Sequence, residues 1–317
     1  MRRVVPVDLG GSPHLCAVAP PRRECWTPLA VKALIDSTTQ RDPSAQIEVG
    51  FFHGGFPSTE MLQAVAGLPS RLSCHPMDIR PHQAEAFREA GGEMVEIEVM
   101  SFEPHVLRTC ERDYTVTRVK NMARTLRSMG FKVGVHLVPG LPGSDLDGAM
   151  ADAEALHNEG EPWVDFVRIW PALGFEGSRL LEWAEQGRWR PLDIPEAIEV
   201  TRRMIDICDV IHVPVARVGL QPGQDIPVRA PAGPVHPNLR GEVEARRFAD
   251  RMKRILVGVK GGAHVVVHVN PKDLHLAKGT SNINAKAMCS SYALSAMKIE
   301  ASNDVERGTV KLAKVKV

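Results

Sequence analysis

Short runs of apolar residues alternate along the chain with longer segments in which apolar residues recur at helical spacing. The runs predict seven strands, over 4–9, 46–52, 71–74, 94–100, 132–138, 166–169 and 215–220. The segments between them predict helices, the first over 27–40, with Thr27 as its N-cap and Pro28 in its first turn. Strands that alternate with helices are typical of a parallel sheet, either in a barrel or in a doubly wound arrangement.

The pattern changes beyond residue 250, where strand-like runs appear at 255–259, 264–270 and 309–317. We therefore expect a large domain over 1–250 and a small α/β extension over 251–317. In a parallel α/β fold the ligand site forms from the loops at the carboxyl ends of the strands. The loops that follow the predicted strands are thus the place to look for chemistry.

Composition bounds the class of protein. Of 317 residues, 39 are Lys or Arg, 38 are Asp or Glu, and 5% are aromatic. This balance does not favour a dedicated nucleic-acid binder and leaves room only for a local basic patch. No apolar stretch approaches the roughly 20 residues that span a bilayer, and Asp8 interrupts the first apolar run too early for a signal peptide. The six dispersed cysteines predict a cytoplasmic protein with free or metal-bound thiols.

Four passages after the predicted strands carry a resemblance to a known family. They read FHGGF at 52–56, VEIEVMSF at 95–102, HLVPGLPG at 136–143, and RVGLQP at 217–222 with AGPVHP at 232–237. In these passages the sequence resembles the radical S-adenosylmethionine (SAM) superfamily, in the branch of the elongator catalytic subunit and its bacterial relatives. The resemblance implies a partial (β/α)6 barrel with the cofactor at its mouth, followed here by the small C-terminal α/β extension.

The resemblance also implies which residues bind SAM. They are Gly54, Gly55, Glu96, Ser101, His136, Pro139 and Gly140. The glycine pair is expected to let the backbone approach the ligand closely and to adopt conformations closed to other residues. Of Glu96 and Glu98, we expect only one to point inward; the resemblance favours Glu96, which is also expected to pair with an arginine such as Arg168 or Arg217.

The loop after the first strand departs from the family pattern. The family holds a [4Fe–4S] cluster on three thiolates of a CxxxCxxC loop, and reduction of the cluster cleaves bound SAM to a 5′-deoxyadenosyl radical. The three positions here are Ser12, Cys16 and Ala19. Alanine cannot ligate iron, and serine is a harder and rarer ligand than cysteine. Cys25 and Cys74 also follow predicted strands, so Cys16, Cys25 and Cys74 form an alternative ligand set, with a mixed Cys/His site as a variant.

Two readings of the function follow. The first is a radical-SAM-type enzyme that binds SAM and an iron–sulfur cluster through this atypical cysteine set, with an unknown substrate. The alternative is a degenerate barrel without a cluster that binds SAM, a nucleoside or a partner protein. A third reading, a tRNA-modifying protein by analogy with the elongator branch, is less favoured, because the chain leaves no room after the barrel for an acetyltransferase domain.

Overall fold

A computed structural model of the protein describes residues 2–10, 25–158, 160–220 and 229–316. The strands are β1 Arg2–Asp8, β2 Gln46–Gly54, β3 Ser70–Cys74, β4 Gly92–Met100, β5 Lys132–Leu137, β6 His157–Asn158, β7 Glu161–Pro162, β8 Phe166–Ile169, β9 Val215–Val218, β10 His264–Val269, β11 Ala296–Ala301 and β12 Val310–Lys316. The helices are α1 Pro28–Arg41, α2 Thr59–Ala64, α3 Pro81–Glu89, α4 Pro104–Thr109, α5 Val116–Ser128, α6 Leu146–Glu154, α7 Arg179–Glu185, α8 Ile194–Val210, α9 Leu239–Ile255, α10 Leu274–Lys278 and α11 Ile283–Ser291.

Seven strands form one sheet in the order β1-β2-β3-β4-β5-β8-β9, with every neighbouring pair parallel. All seven strands predicted from the apolar runs are present, and the sheet curls into the expected partial barrel. Strands β6 and β7 make a separate two-stranded antiparallel pair. The carboxyl ends of the seven parallel strands form one edge of the sheet, which we call the rim.

The two faces of the large sheet differ in polarity. On β4, Val95, Ile97 and Val99 are fully buried on the face that α3 and α5 cover. The alternate positions of the same strand include Glu96 and Glu98, which lie on the opposite face because successive side chains of a strand point to opposite sides. We call this second face the polar face.

Local signals in the sequence explain where the helices begin. The Thr27 hydroxyl accepts a hydrogen bond from the backbone N–H of Ala30, which caps α1 as predicted. Helix α8 begins with a capping box, in which Asp193 accepts from the Glu196 N–H and the Glu196 carboxylate accepts from the Asp193 N–H. These caps satisfy N–H groups that have no partner inside the helix.

The chain divides into two compact units, one of residues 1–197 and 203–235 and the other of residues 198–202 and 236–317. In the second unit, β10 lies between a parallel neighbour, β11, and an antiparallel one, β12. Val265, Val267 and Val269 of β10 are buried in the apolar core of this unit. Helix α9 spans the expected division between residues 250 and 251 and belongs to the second unit.

A membrane-spanning helix was not expected. Among the residues that the structure describes, no helix combines the length and the apolar character needed to cross a bilayer.

Candidate functional site

A buried carboxylate organises the polar face of the large sheet. Arg168 binds Glu96 through two atoms, with Nε 2.6 Å from Oε2 and a second nitrogen 2.7 Å from Oε1. His136 Nε2 lies 2.7 Å from Oε2, and an Arg71 nitrogen lies 3.8 Å from Oε1. These residues come from β3, β4, β5 and β8, so the cluster links four adjacent strands. The predicted pairing of Glu96 with Arg168 is present.

The surroundings of Glu96 keep it ionised. Burial alone would raise the pKa of this carboxyl, since its side chain is only 2% exposed. The hydrogen bond with His136 and the positive charges of His136, Arg168 and Arg71 outweigh burial, so the pKa is lowered. Glu96 is therefore a fixed negative charge rather than a proton donor near neutral pH.

The expectation that only one of Glu96 and Glu98 faces inward is wrong. Positions two residues apart in a strand share a face, and both carboxylates lie on the polar face. The Ser73 hydroxyl donates to Glu98 at 3.0 Å, and Ser73 is the register neighbour of Glu96 on β3. Glu98 is partly exposed where Glu96 is buried, so the two carboxylates differ in accessibility rather than in direction.

The predicted glycine pair lies at the rim end of β2, and its two members have different roles. A Cβ atom at Gly54 would stand 2.5 Å from the Leu9 Cβ, so glycine is required there by the approach of β1. Among the described residues, a Cβ atom at Gly55 would meet Asp78 alone, at an ordinary 3.5 Å. Neither glycine has a positive φ, so the expectation of a conformation closed to other residues is wrong for both.

Ser101, just past the rim end of β4, is buried and already hydrogen-bonded. Its hydroxyl donates to Asp152 Oδ1 at 3.0 Å and accepts from the Glu103 N–H at 3.1 Å. The same Asp152 oxygen accepts from the Phe102 N–H at 2.6 Å. Burial raises the pKa of Asp152 to about 7, although the hydrogen bonds from Phe102 and Ser101 oppose that shift. Ser101 and Asp152 thus fix the path of the backbone that leaves β4.

The loop after β5 is a tight turn that contains two glycines with positive φ. Gly140 and Gly143 have φ values of +84° and +83°, a region that favours glycine. The Gly140 carbonyl accepts from Trp189 Nε1 at 2.9 Å, and the Pro139 carbonyl accepts from the Ala172 N–H at 2.9 Å. These bonds hold the loop that follows the strand carrying His136.

An aromatic residue at the rim end of β8 closes this side of the polar face. The ring centroids of Trp170 and His136 are 5.8 Å apart in an edge-to-face arrangement, and the Arg217 guanidinium lies 5.6 Å from the Trp170 centroid. Burial, then the positive charges of Arg168 and Arg71, lower the pKa of Arg217. The arginines of the polar face therefore repel one another, and Glu96 offsets part of that repulsion.

The cysteines of the predicted ligand set have different environments. Ser12, Cys16 and Ala19 lie outside the described residues, as does Gln221 of the late motif. Cys25 is exposed, whereas Cys74 is fully buried and is the register neighbour of Ile97, a residue of the helix-covered face. Burial, with smaller effects of Glu98, Asp78 and Glu96, raises the pKa of the Cys74 thiol well above its usual range.

Metal ligation requires the thiolate form of cysteine. In the described ranges, no three His, Cys, Asp or Glu side chains lie together as a metal site. Cys16 lies outside those ranges, so the ligand set of Cys16, Cys25 and Cys74 stays a prediction.

Two groups of the site were not predicted from the sequence. Arg71 joins the Glu96 cluster, and its Nε also lies 3.2 Å from Glu48. The sequence feature that could have identified it is a charged residue inside a short buried strand. The buried Arg112 donates to Tyr114 Oη at 2.8 Å and to the Glu98 carbonyl. No sequence pattern marked Arg112, because its partners depend on how the chain folds back over β4.

Family comparisons match most of the large sheet. The model described as Radical SAM superfamily matches residues 42–156, and the Radical_SAM C-terminal domain model matches residues 164–248. Together the two cover successive parts of the chain that include β2–β5, β8 and β9.

Curated relatives match part of the chain. The chain is 33% identical over 110 residues to the tRNA uridine(34) acetyltransferase of Methanocaldococcus jannaschii, a match that covers 35% of this chain and 20% of that protein. It is 27% identical over 157 residues to human Elongator complex protein 3, covering 49% of this chain and 28% of that protein. The chain thus matches less than a third of the length of these relatives.

A solved structure with the same fold is the archaeal Methanocaldococcus infernus Elp3 with an N-terminal deletion. The superposition has a TM-score of 0.60 at 21% identity, and it covers 80% of this chain and 64% of that chain. At this identity the likeness establishes the fold of the chain.

Proposed function

Because the chain belongs to the radical SAM superfamily, we propose that it binds SAM or its adenosyl part at the rim of the large sheet, without a three-thiolate cluster. The binding residues of the proposal are those named by the resemblance, with contact made mainly by backbone groups of Gly54–Gly55 and of the turn at Pro139–Gly140. Glu96, His136 and Ser101 position these segments, because their side chains are already engaged with protein partners.

The observation that carries this proposal is Gly55. The approach of Leu9 requires glycine at Gly54, whereas at Gly55 no positive φ and no close contact with another described residue requires it. A glycine at a strand end without an internal reason is consistent with a ligand that approaches the backbone there. Asp78 lies beside this position, with its Cβ 3.5 Å from where a Cβ of residue 55 would stand.

Calorimetry with SAM on iron-free protein tests the proposal. A side chain that intrudes on a ligand costs about 1–3 kcal/mol, so Gly55→Val should weaken binding by roughly tenfold or more while the melting temperature stays unchanged. The matched Gly54→Ala variant should instead lower the melting temperature through its clash with Leu9. Wild-type protein that does not bind SAM, or Gly55→Val protein that binds it as well as wild type, would overturn the proposal.

The cluster-binding enzyme remains a second candidate because Cys25 is exposed and follows Cys16 in the same inter-element segment. In this version Cys16, Cys25 and Cys74 would hold the cluster, whose chemistry would be one-electron reduction of SAM. Iron and sulfide are measured after anaerobic reconstitution of the wild type and of Cys16→Ala, Cys25→Ala and Cys74→Ala variants. Cys208→Ala is the control, since Cys208 is buried in α8. Iron that survives all three substitutions rules out this ligand set.

We further propose that the substrate is an RNA. The support is the named activity of the curated relatives, tRNA uridine(34) acetyltransferases, although each match covers only part of those proteins. The near-neutral charge of the whole chain argues for a local rather than a global RNA-binding surface. Transfer RNA binding measured across salt concentrations is the test, because contacts to phosphates weaken steeply with salt.

A further inference from the structure

The exposed face of the C-terminal three-stranded sheet is strongly basic. Three cross-strand rows make up this face: Ala296, His264 and Lys316; Lys298, Val266 and Lys314; and Glu300, His268 and Lys311. We call these nine residues the basic sheet face. All four lysines are exposed. The one acidic residue of the face, Glu300, lies 3.9 Å from His268 Nε2.

A β-bulge aligns the lysines of β12. The register between β10 and β12 shifts between Val266 and Val267, so that Lys314 pairs with Val266 while Leu312 pairs with Val267. Without the bulge, the three-residue spacing from Lys311 to Lys314 would place their side chains on opposite faces. The extra residue, Ala313, brings Lys311, Lys314 and Lys316 onto one side. The apolar residues of β12 that pair with Val265, Val267 and Val269 lie on the other.

We propose that the basic sheet face binds the phosphate backbone of double-helical RNA. Adjacent strands are about 4.8 Å apart and alternate residues of one strand about 6.8 Å apart, so the lysines form a flat array that can reach several phosphates at once. The choice of RNA rests on the proposed RNA substrate, whereas the polyanion-binding chemistry of the face does not.

The other residues of the face argue against different ligands. The basic sheet face contains no Phe, Tyr or Trp, so it lacks the large aromatic platform on which unpaired bases stack best. Recognition through phosphates and 2′-hydroxyls, without base readout, is typical of proteins that bind RNA helices. Its only apolar members are Val266 and Ala296, which are too small to insert into a bilayer. Lysines on the edge strand β12 also hinder edge-to-edge pairing, a role that requires no RNA.

The test compares two triple variants of the full chain. Lys311→Gln/Lys314→Gln/Lys316→Gln neutralises the β12 row, and Lys32→Gln/Lys132→Gln/Lys260→Gln removes the same charge at exposed positions outside the face. Binding to a 16-base-pair RNA duplex is measured over a series of salt concentrations. Each lysine that contacts a phosphate contributes about one unit to the slope of log K against log salt, so the first variant should lose about three units and the control none.

Other probes distinguish the alternatives. Circular dichroism and melting curves verify that both variants are folded. Equal slopes for the wild type and the β12 variant would overturn the proposal, as would equal binding of a DNA duplex or preferential binding to phosphatidylserine vesicles. Protein that does not bind SAM could still bind the RNA duplex through the basic sheet face, and protein that does not bind RNA could still bind SAM. The two proposals can therefore fail independently.

Discussion

Removing the charge of Glu96 should destabilise the protein strongly, because the substitution leaves its partners buried. Glu96→Gln keeps the size of the side chain but takes the anion from Arg168, which is itself only 10% exposed. Breaking a buried ion pair by removing one partner costs about 3–5 kcal/mol, a large part of the 5–15 kcal/mol that stabilises a typical protein. Urea unfolding followed by tryptophan fluorescence should show the midpoint lowered by about 1–2 M.

Glu98→Gln is the matched control, since Glu98 lies two residues along the same strand, faces the same side and is partly exposed. It should cost less than about 1 kcal/mol. The lowered pKa of Glu96 gives the effect a pH signature. Its stabilisation is complete above the unfolded-state value of 4.5 and is lost as the pH falls through the lower folded-state value, so the two proteins should converge in acid. Equal costs for the two variants, or a constant gap down to low pH, would refute the reasoning.

Two further predictions concern the segments around the site. Burial raises the pKa of Asp152 from 3.8 to about 7, so wild-type protein should lose about 4 kcal/mol as the pH rises from about 4 to about 7, of which about 3 kcal/mol is lost above about pH 5. Asp152→Asn protein should lose no stability by this route. If the melting temperatures of the two proteins change equally between pH 5 and 8, the prediction is contradicted. A Cβ at Gly134 would stand 2.2 Å from the Phe166 ring, so Gly134→Ala should cost about 1–3 kcal/mol in urea unfolding. Adding Phe166→Leu to the Gly134→Ala protein should restore part of the lost stability. If the double variant instead loses the sum of the two single-variant costs, the clash is not the cause.

The order of the elements could be predicted from the sequence because each strand and cap is marked locally. The apolar runs of β2 and β4, and Thr27 before α1, act within a few residues, and all are found where expected. The partners of charged groups could not be predicted in the same way. Glu96 and Arg168 are 72 positions apart, and Ser101 and Asp152 are 51 apart, so their meeting depends on the register of strands and the packing of helices.

The site residues named by the resemblance stay predictions as ligand contacts. Glu96 lies in the middle of β4, His136 lies near the carboxyl end of β5, and Ser101 comes just after β4. The resemblance assigned their side chains to a ligand, whereas the structure binds each of them to a protein partner. A motif shows which residue types occupy its positions. Whether a polar side chain is available to a ligand depends on hydrogen-bond partners that lie outside the motif.

This availability decides which groups of the rim are left for a ligand. The Ser101 hydroxyl already donates to Asp152 and accepts from a backbone N–H, and both oxygens of Glu96 face arginine or histidine nitrogens. In our proposal, ligand contact then falls to backbone groups such as those of Gly55, for which the described part of the chain shows no packing requirement. If so, Glu96→Gln should weaken SAM binding only as far as it destabilises the fold, whereas Gly55→Val should weaken binding in a protein of normal stability. Measuring SAM affinity and stability for both variants therefore separates residues that position the site from residues that contact the ligand.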